Sequence, residues 1–333
     1  MDGISLILPI YNVENYIEKC LQSIVKSMKS ISNIQVILVD DGSKDCSGEI
    51  AQKFAEEHPS FYYVQKENGG LSDARNYGLQ YAIHNYVSFI DSDDYIDEIY
   101  FSEIFAAMRN KPDMIIFDWL DVGDNNYFNT VKGMDNPNFL WTVQPSAWNK
   151  VYKKHLFDEV KFPEGKIYED VGTIYKLIND VKTFFYIDKP LYMYRKNRGG
   201  SILTTISPKI NNIYDVLEDT YIFYERKNAL SEENLDGLCY QYIKLLMWSN
   251  MYRQLKYFKV KLFSFYTKMR YTRSLLYNRF PHWKSNYFLT NYPFYFIDRY
   301  GKNYIKRIDN LGKSFFSTLS TLALLIAKNI RKK

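Results

Sequence analysis

Four short apolar runs, each breaking off into a polar cluster, constrain this chain more than any other feature. Residues 4–9, Ile34–Asp40, Phe61–Gln65 and 86–90 are too short for helices and rich in β-branched and aromatic side chains. Helical spacing separates them. Residues 13–28 carry Ile17, Leu21, Ile24 and Met28 on one face, Ser47–Glu57 ends before His58-Pro59, and residues 71–82 form a third helix. Residues 97–108 read as a further helix and 114–119 as a fifth strand. Apolar strands alternating with helices predict an α/β chain built on a mostly parallel sheet with helices on both faces.

In such sheets ligands bind beyond the carboxyl ends of the strands, and the polar residues of this chain lie there. Strand one runs into Pro9-Ile10-Tyr11-Asn12, strand two into Asp40-Asp41-Gly42-Ser43, strand three into Asn68-Gly69-Gly70, and strand four into Asp91-Ser92-Asp93-Asp94. Three carboxylates in four residues repel one another unless a cation sits among them, and hard oxygen ligands without His or Cys suit Mg²⁺ or Mn²⁺. The alternative is a solvated acidic turn. Asp41 is placed to accept a hydrogen bond from a nucleobase N–H; a plain Asp-Gly turn would look the same in isolation. Gly69 and Gly70 allow close backbone approach at a helix start that favours phosphate, and Arg75, one turn further on, is suited to clamp a ribose or diphosphate. The alternative there is an arginine paired with a carboxylate.

Together these segments resemble family-2 glycosyltransferases of the GT-A fold, the enzymes of bacterial capsule, exopolysaccharide and lipopolysaccharide synthesis. The matching stretches are SLILPIYN (residues 5–12), VDDGSKDCS (39–47), NGGLSDARNYG (68–78), FIDSDD (89–94), WNKVY (148–152), FPEGKIYEDV (162–171) and residues 192–202, seven in register across about residues 1–205. The resemblance implies an inverting transfer from a nucleotide-diphosphate sugar, UDP-hexose or UDP-N-acetylhexosamine, to a hydroxyl of a glycan or polyprenyl-linked acceptor. It implies that Asp41 binds uracil, that Pro9, Tyr11 and Asn12 line the nucleotide pocket with Asn68 on the donor side, and that Arg75 contacts ribose or diphosphate. Asp91 and Asp93 form a DXD-like motif, Asp93 the principal ligand of Mn²⁺ or Mg²⁺ and Asp91 also facing the donor. Asp170 is implied as catalytic base, Glu169 and Trp148 lie on the acceptor side, and Arg195 and Ser201 lie near the diphosphate.

Other chemistries lack their signatures. The four histidines are scattered, and no GxxxxGK[ST] loop is present. A sugar nucleotidyltransferase would need a Gly-rich basic signature near the N-terminus, and a non-catalytic glycan-binding protein would have no use for every acid above. Cys20, Cys46 and Cys239 lack metal-site spacing and read as reduced cytosolic thiols; no signal peptide or spanning segment is visible.

The chain changes character toward its end. Residues 240–333 hold 19 Lys and Arg against only Asp298 and Asp309, a charge of +17, whereas residues 1–239 carry −12. The same 94 residues hold 23 aromatics. Such a segment suits an anionic bilayer surface, and nothing in it resembles an RNA-binding motif. Leu311, Phe315, Leu319, Leu322, Ile326 and Ile330 predict an apolar stripe on a helix lying in the membrane plane, ahead of Arg331-Lys332-Lys333; the alternative is a helix packed on protein, including a second subunit in a homo-oligomer. The organisation expected is a catalytic domain over residues 1–215 and a helical region over 216–333, with a polar linker near 225–237, a helix at 241–256, and a peripheral location on the inner face of the cell membrane.

Overall fold

Every position from Ile4 to Ile10 is buried, and a strand with no exposed face has to lie inside a sheet covered on both sides. The computed structural model describes residues 3–29, 31–123, 128–196, 207–258 and 261–330. The chain divides into two compact units, Met1–Ser201 and Ile202–Lys333.

In the first unit, β1 (Ile4–Ile10) runs parallel to β2 (Ile34–Asp40) on one side and to β4 (Tyr86–Phe89) on the other, and β3 (Phe61–Gln65) extends the sheet parallel to β2. Helices α1 (Ile17–Met28), α2 (Ser47–Glu57), α3 (Leu71–Tyr81) and α4 (Tyr100–Met108) fill the connections. This is the predicted parallel half.

The other half departs from simple alternation. β6 (Met114–Val122) does not pair with β4. The four-residue β8 (Lys150–Lys153) lies between them, antiparallel to both. β9 (Phe184–Arg195) pairs parallel to β6, the two-residue β5 (Tyr95–Ile96) pairs antiparallel to β9, and β7 (Phe128–Val131) pairs antiparallel to β6. The strand order is β3-β2-β1-β4-β8-β6-β9-β5, so the sheet is mixed but mostly parallel. β8 escapes a reading by pattern because Lys-Val-Tyr-Lys shows no apolar run, although Lys150 and Tyr152 are fully buried. Two helices start later than predicted. Residues 13–16 form a turn in which the Tyr16 and Ile17 N–H groups donate to the Val13 carbonyl, and residues 97–99 form a turn in which the Asp97 N–H donates to the Leu191 carbonyl and the Tyr100 N–H to the Asp97 carbonyl before α4 begins.

The second unit is helical. It comprises α6 (Asn212–Arg226), α7 (Glu232–Tyr242), α8 (Asn250–Tyr257), α9 (Leu262–Arg279), α10 (Tyr287–Asn291), α11 (Phe294–Tyr300), α12 (Tyr304–Asn310) and α13 (Phe315–Ile330), while α5 (Glu169–Leu177) belongs to the first unit. The expected boundary at 215/216 falls inside α6. The stretch 225–237 is not a linker: it ends α6 and starts α7, where the Ser231 side chain accepts from the Asn234 N–H as an N-cap. The predicted helix over 241–256 begins earlier, with α7 passing through a π-helical segment, Ile243–Ser249, into α8. Much of the aromatic density is structural. Tyr240, Tyr242, Phe265, Trp283, Phe288, Phe296 and Tyr300 are buried, and the Tyr242 hydroxyl donates to the Leu217 carbonyl at 2.8 Å. Among the described residues no helix is long and apolar enough to cross a membrane.

One close approach governs where α3 sits. A Cβ on Gly78 would lie 2.5 Å from Ile7 Cγ2 and 3.1 Å from Val39 Cγ2, so only glycine lets α3 rest directly on β1 and β2. Gly78→Ala should therefore destabilise the protein by about 1–3 kcal/mol, the usual cost of overpacking a filled core, measured as a lower urea midpoint. An unchanged midpoint would mean that α3 is not held this tightly.

Candidate active site

The loops that end β1, β2, β3 and β4 converge, and each is fastened by side chains from the others. Asp40 is 1% exposed. It accepts from the Ser43 N–H, the Tyr63 hydroxyl and Gln65 Nε2 at 2.9–3.1 Å, which holds the Asp-Asp-Gly turn in place. Asp41, also buried, accepts from Lys66 Nζ and the Gly69 N–H on Oδ1, and from the Gly70 N–H and Asn68 Nδ2 on Oδ2, at 2.7–3.1 Å. Four donors take up its lone pairs, so a nucleobase N–H would have to displace one of them. Asn68 also donates to the Asp41 carbonyl at 2.8 Å. Lys66, which the motif reading passed over, bridges Asp41 to Asp73 in the first turn of α3.

The β1 end is built similarly. Asn12, in the left-handed backbone region at φ 50°, accepts from the Lys44 N–H at 2.8 Å, and Pro9 offers its carbonyl to Ser92 Oγ at 2.8 Å. Tyr11 remains 44% exposed. Pro9 and Asn12 thus tie β1 to the loops after β4 and β2, and Tyr11 presents its ring outward.

The acid loop after β4 has two kinds of carboxylate. Asp94 is buried, accepting from the Tyr192 hydroxyl at 2.8 Å and the Arg195 N–H at 2.7 Å; burial, then repulsion from Asp93 and Asp91, push its carboxyl well above the usual carboxylate range. Asp91 and Asp93 are partly exposed. Arg195 Nε donates to the Asp93 carbonyl at 2.7 Å, and its guanidinium lies over the Tyr16 and Tyr95 rings, so it does stand beside the acid loop. Tyr192, absent from the sequence reading as an individual residue, also receives the Asp91 N–H at 3.1 Å and stacks on Trp148 at 4.4 Å. Trp148 is sandwiched between Tyr192 and Tyr194 and is 8% exposed. Ser201 lies outside the described residues.

Arg75 joins this side to the second acid pair. It is 1% exposed, with one terminal nitrogen 2.8 Å from Asp91 Oδ1 and the other 2.6 Å from Asp170 Oδ1 and 3.3 Å from Glu169 Oε1. The Phe162 and Phe89 rings lie beside the guanidinium, 5.2 and 6.0 Å from its carbon. The sequence placed Arg75 toward ribose or diphosphate; here its charge is directed inward onto three acids.

Two features bring residues 169–170 so far back along the chain. Asn76 of α3 pairs with both backbone groups of Phe162 at 2.9 Å, and Ser72 donates to the Pro163 carbonyl at 2.8 Å. Tyr168 then adopts left-handed backbone, φ 69°, immediately before α5; such a conformation in a bulky residue persists only where its surroundings impose it. Asp170 Oδ2 accepts from the Ala147 N–H at 3.0 Å. The loop carrying Ala147 is held by Lys150, whose buried ammonium donates to the Gln144 and Ser146 carbonyls at 2.6 Å. That accounts for the lysine of the Trp-Asn-Lys stretch. Burial raises Asp170 and Arg75 opposes the rise. Burial, then repulsion from Asp170, pushes Glu169 up to about 7.

No group of three or more His, Cys, Asp or Glu side chains among the described residues is arranged to hold a metal ion. Asp91 and Asp93 can supply two hard oxygen donors, the number Mg²⁺ commonly takes from protein when phosphates and water complete its shell. The residues therefore fit a cation that arrives with a diphosphate. A separate cavity of about 470 Å³, lined by Lys111, Lys153, Lys154 and His155, lies at the start of β4, away from the strand ends where these acids gather.

A mostly parallel sheet carrying such acids at its strand ends is the build of a GT-A glycosyltransferase. Residues 5–168 match the model of glycosyl transferase family 2. GlyG, a glycosyltransferase of Streptococcus pneumoniae, is 32% identical over 61% of this chain and 73% of its own length. GlyA of the same organism is 36% identical over 60% of this chain, and GgaB, a minor teichoic acid biosynthesis protein of Bacillus subtilis, is 34% identical over 59%. The matched parts are 31% of GlyA and 23% of GgaB, so the chain spans only a fraction of those two relatives. The structure of S. aureus TarS 1–349 in complex with UDP-GlcNAc shares the fold, with a TM-score of 0.69 at 20% identity over 96% of this chain and 90% of that one. The chain belongs to glycosyltransferase family 2.

The raised Glu169 carboxyl has a consequence for stability. Folded, it binds its proton more tightly than the unfolded chain does, so its contribution is complete below the ordinary value of 4.5 and is lost as pH rises through about 7. Glu169→Gln, which mimics the protonated form, should match the parent at pH 5 and exceed it at pH 8 by on the order of 1–3 kcal/mol in denaturant unfolding. Equal stability at both pH values would contradict the buried environment described here.

Proposed function

We propose that this protein transfers a hexose or N-acetylhexosamine from a UDP-linked donor to a hydroxyl of a glycan or polyprenyl-linked acceptor, with inversion, in bacterial surface polysaccharide synthesis. The observation that carries the reading is the pairing of two acid groups across one buried guanidinium: Asp91, with Asp93 nearby, on one side and Asp170 on the other. A transfer with inversion needs these two functions close together and distinct. One site must accept a departing diphosphate and the other must take a proton.

The acceptor oxygen attacks the anomeric carbon as the bond from that carbon to the diphosphate oxygen breaks, and UDP carries away the bonding electrons. The acceptor hydroxyl's proton passes to Asp170. That carboxylate keeps a second lone pair on each oxygen beyond those used by Arg75 and Ala147, and its partial burial makes it a better base than a surface aspartate. A divalent cation, Mn²⁺ or Mg²⁺, held by Asp93 and Asp91 would neutralise charge on the diphosphate. Tyr11 offers an exposed ring to the base, Arg195 adds positive charge next to Asp93, and Trp148 with Tyr194 and Trp119 builds an aromatic wall on the acceptor side. A uridine donor is supported by the UDP-GlcNAc complex of TarS, which shares the fold, and a surface-glycan acceptor by the teichoic acid role in the name of GgaB. We place the enzyme at the inner face of the cell membrane, with the basic second unit meeting anionic lipid.

The test is UDP release and product analysis with UDP-sugars and Mn²⁺. Asp170→Asn should lower turnover by about 10²–10⁴-fold while leaving donor affinity intact, and Asp93→Asn should abolish transfer without loss of stability. The product of an α-linked donor should be β-linked by NMR. An α-linked product would remove Asp170 from the role of base, and near-normal turnover by Asp93→Asn would remove the cation site.

A further inference from the structure

Helix α13 is apolar on two sides. Thr318, Thr321, Leu322 and Leu325 face inward and are buried. This differs from the predicted stripe: Leu322 is inside, Leu311 precedes the helix and is itself buried, and Ile326 belongs to the outer side. On that outer side Phe316 is 82% exposed, Leu324 53% and Ile326 38%. Ala323 and Ala327 lie there too, and between Phe315 and Lys328 the helix carries no acidic residue.

The start of α13 meets the start of α9 in a cluster of rings. Phe315 lies 6.2 Å from Phe263, 5.7 Å from Tyr266 and 5.9 Å from Phe316. Phe263 is 71% exposed. Lys261, immediately ahead of α9, and Lys313, two residues ahead of α13, are both exposed. Exposed large apolar side chains gathered on one corner mark an interaction surface rather than ordinary scatter.

Charge selects the partner. Residues 202–333 carry 22 Lys and Arg against 9 Asp and Glu, a net charge of +13. Beyond Asp236 the acids are Asp298 and Asp309, and Asp309 is taken up by Arg273 and Lys284 at 3.0 Å. A second copy would bring a unit of the same net positive charge, with the same Lys261 and Lys313 beside the rings, and be repelled. An anionic lipid leaflet accepts both features, the rings at headgroup depth and the lysines at the phosphates.

We infer that the corner formed by Phe263, Phe315 and Phe316, continued by Leu324 and Ile326 along α13, is the face that enters the headgroup layer of an anionic leaflet. This rests on the membrane attachment proposed above and specifies which side chains make it. Insertion is shallow, since α13 buries its opposite side within its own unit.

The test is flotation of the full chain with phosphatidylcholine vesicles that contain or lack phosphatidylglycerol. The parent should float with the anionic vesicles only. Phe263→Ser with Phe316→Ser should reduce that binding on the order of tenfold or more, since both rings would otherwise leave water, with melting temperature and UDP-sugar turnover in lipid-free solution unchanged. Lys261→Gln with Lys313→Gln should weaken binding and reduce its sensitivity to salt. If the parent fails to float, the attachment and this face fall together. If the parent floats and the double phenylalanine variant floats equally well, the face is wrong while the attachment stands. Lipid-free self-association that the same double variant abolishes would assign the corner to a second copy instead.

Discussion

A single arginine with almost no solvent contact sits where β4 and two later loops meet. Arg75 reaches Asp91 with one terminal nitrogen and Asp170 and Glu169 with the other, while its Nε has no hydrogen-bond partner among the described residues. Three acids drawn toward one another would repel without it, and a guanidinium this deeply buried would be costly without them. Removing one partner from a buried ion pair generally costs about 3–5 kcal/mol, because the remaining charge is left unpaired. Arg75 therefore sets the relation between the acid loop after β4 and the start of α5. Because it lies on α3, that relation is referred to the core through Gly78, which lets α3 touch β1 and β2.

The surrounding network includes Asp41 and Asn12, which a motif reading takes for ligand contacts, and Lys150, to which it gives no role. Asp41 organises the glycine loop, Asn12 fastens the loop after β2, and Lys150 holds the segment whose N–H supports Asp170. These residues hold backbone and carboxylates in position by hydrogen bonds within the protein itself.

Much of this was legible in the sequence, and the failures have physical causes. The parallel half of the sheet was plain because buried parallel strands must be apolar throughout. β8 was not, because four residues with two lysines carry no periodic signal, and its burial depends on pairing with β4 and β6. The strand-end loops that carry the named residues do converge, with Asp91, Glu169 and Asp170 meeting on Arg75. The direction of Arg75 was not, since its partners lie 16, 94 and 95 residues away and only folding brings them to it. Lys66 was findable, as the one cation between strand three and Asn68-Gly69-Gly70. The tail's aromatic content pointed to a membrane surface, yet a good part of it fills the core of the second unit, a distinction that composition alone does not carry.

The central claim is that Arg75 works by positioning Asp170 and Asp91, not by gripping the donor. Steady-state kinetics of Arg75→Lys and Arg75→Met, paired with UDP-sugar affinity by calorimetry, test it most directly. The account expects kcat to fall in both variants, less in Arg75→Lys, with donor affinity changed little, and the pH dependence of kcat displaced in Arg75→Met, where Asp170 has lost its counter-charge. A collapse of donor affinity in both variants, with kcat preserved at saturating donor and its pH dependence unmoved in Arg75→Met, would contradict it.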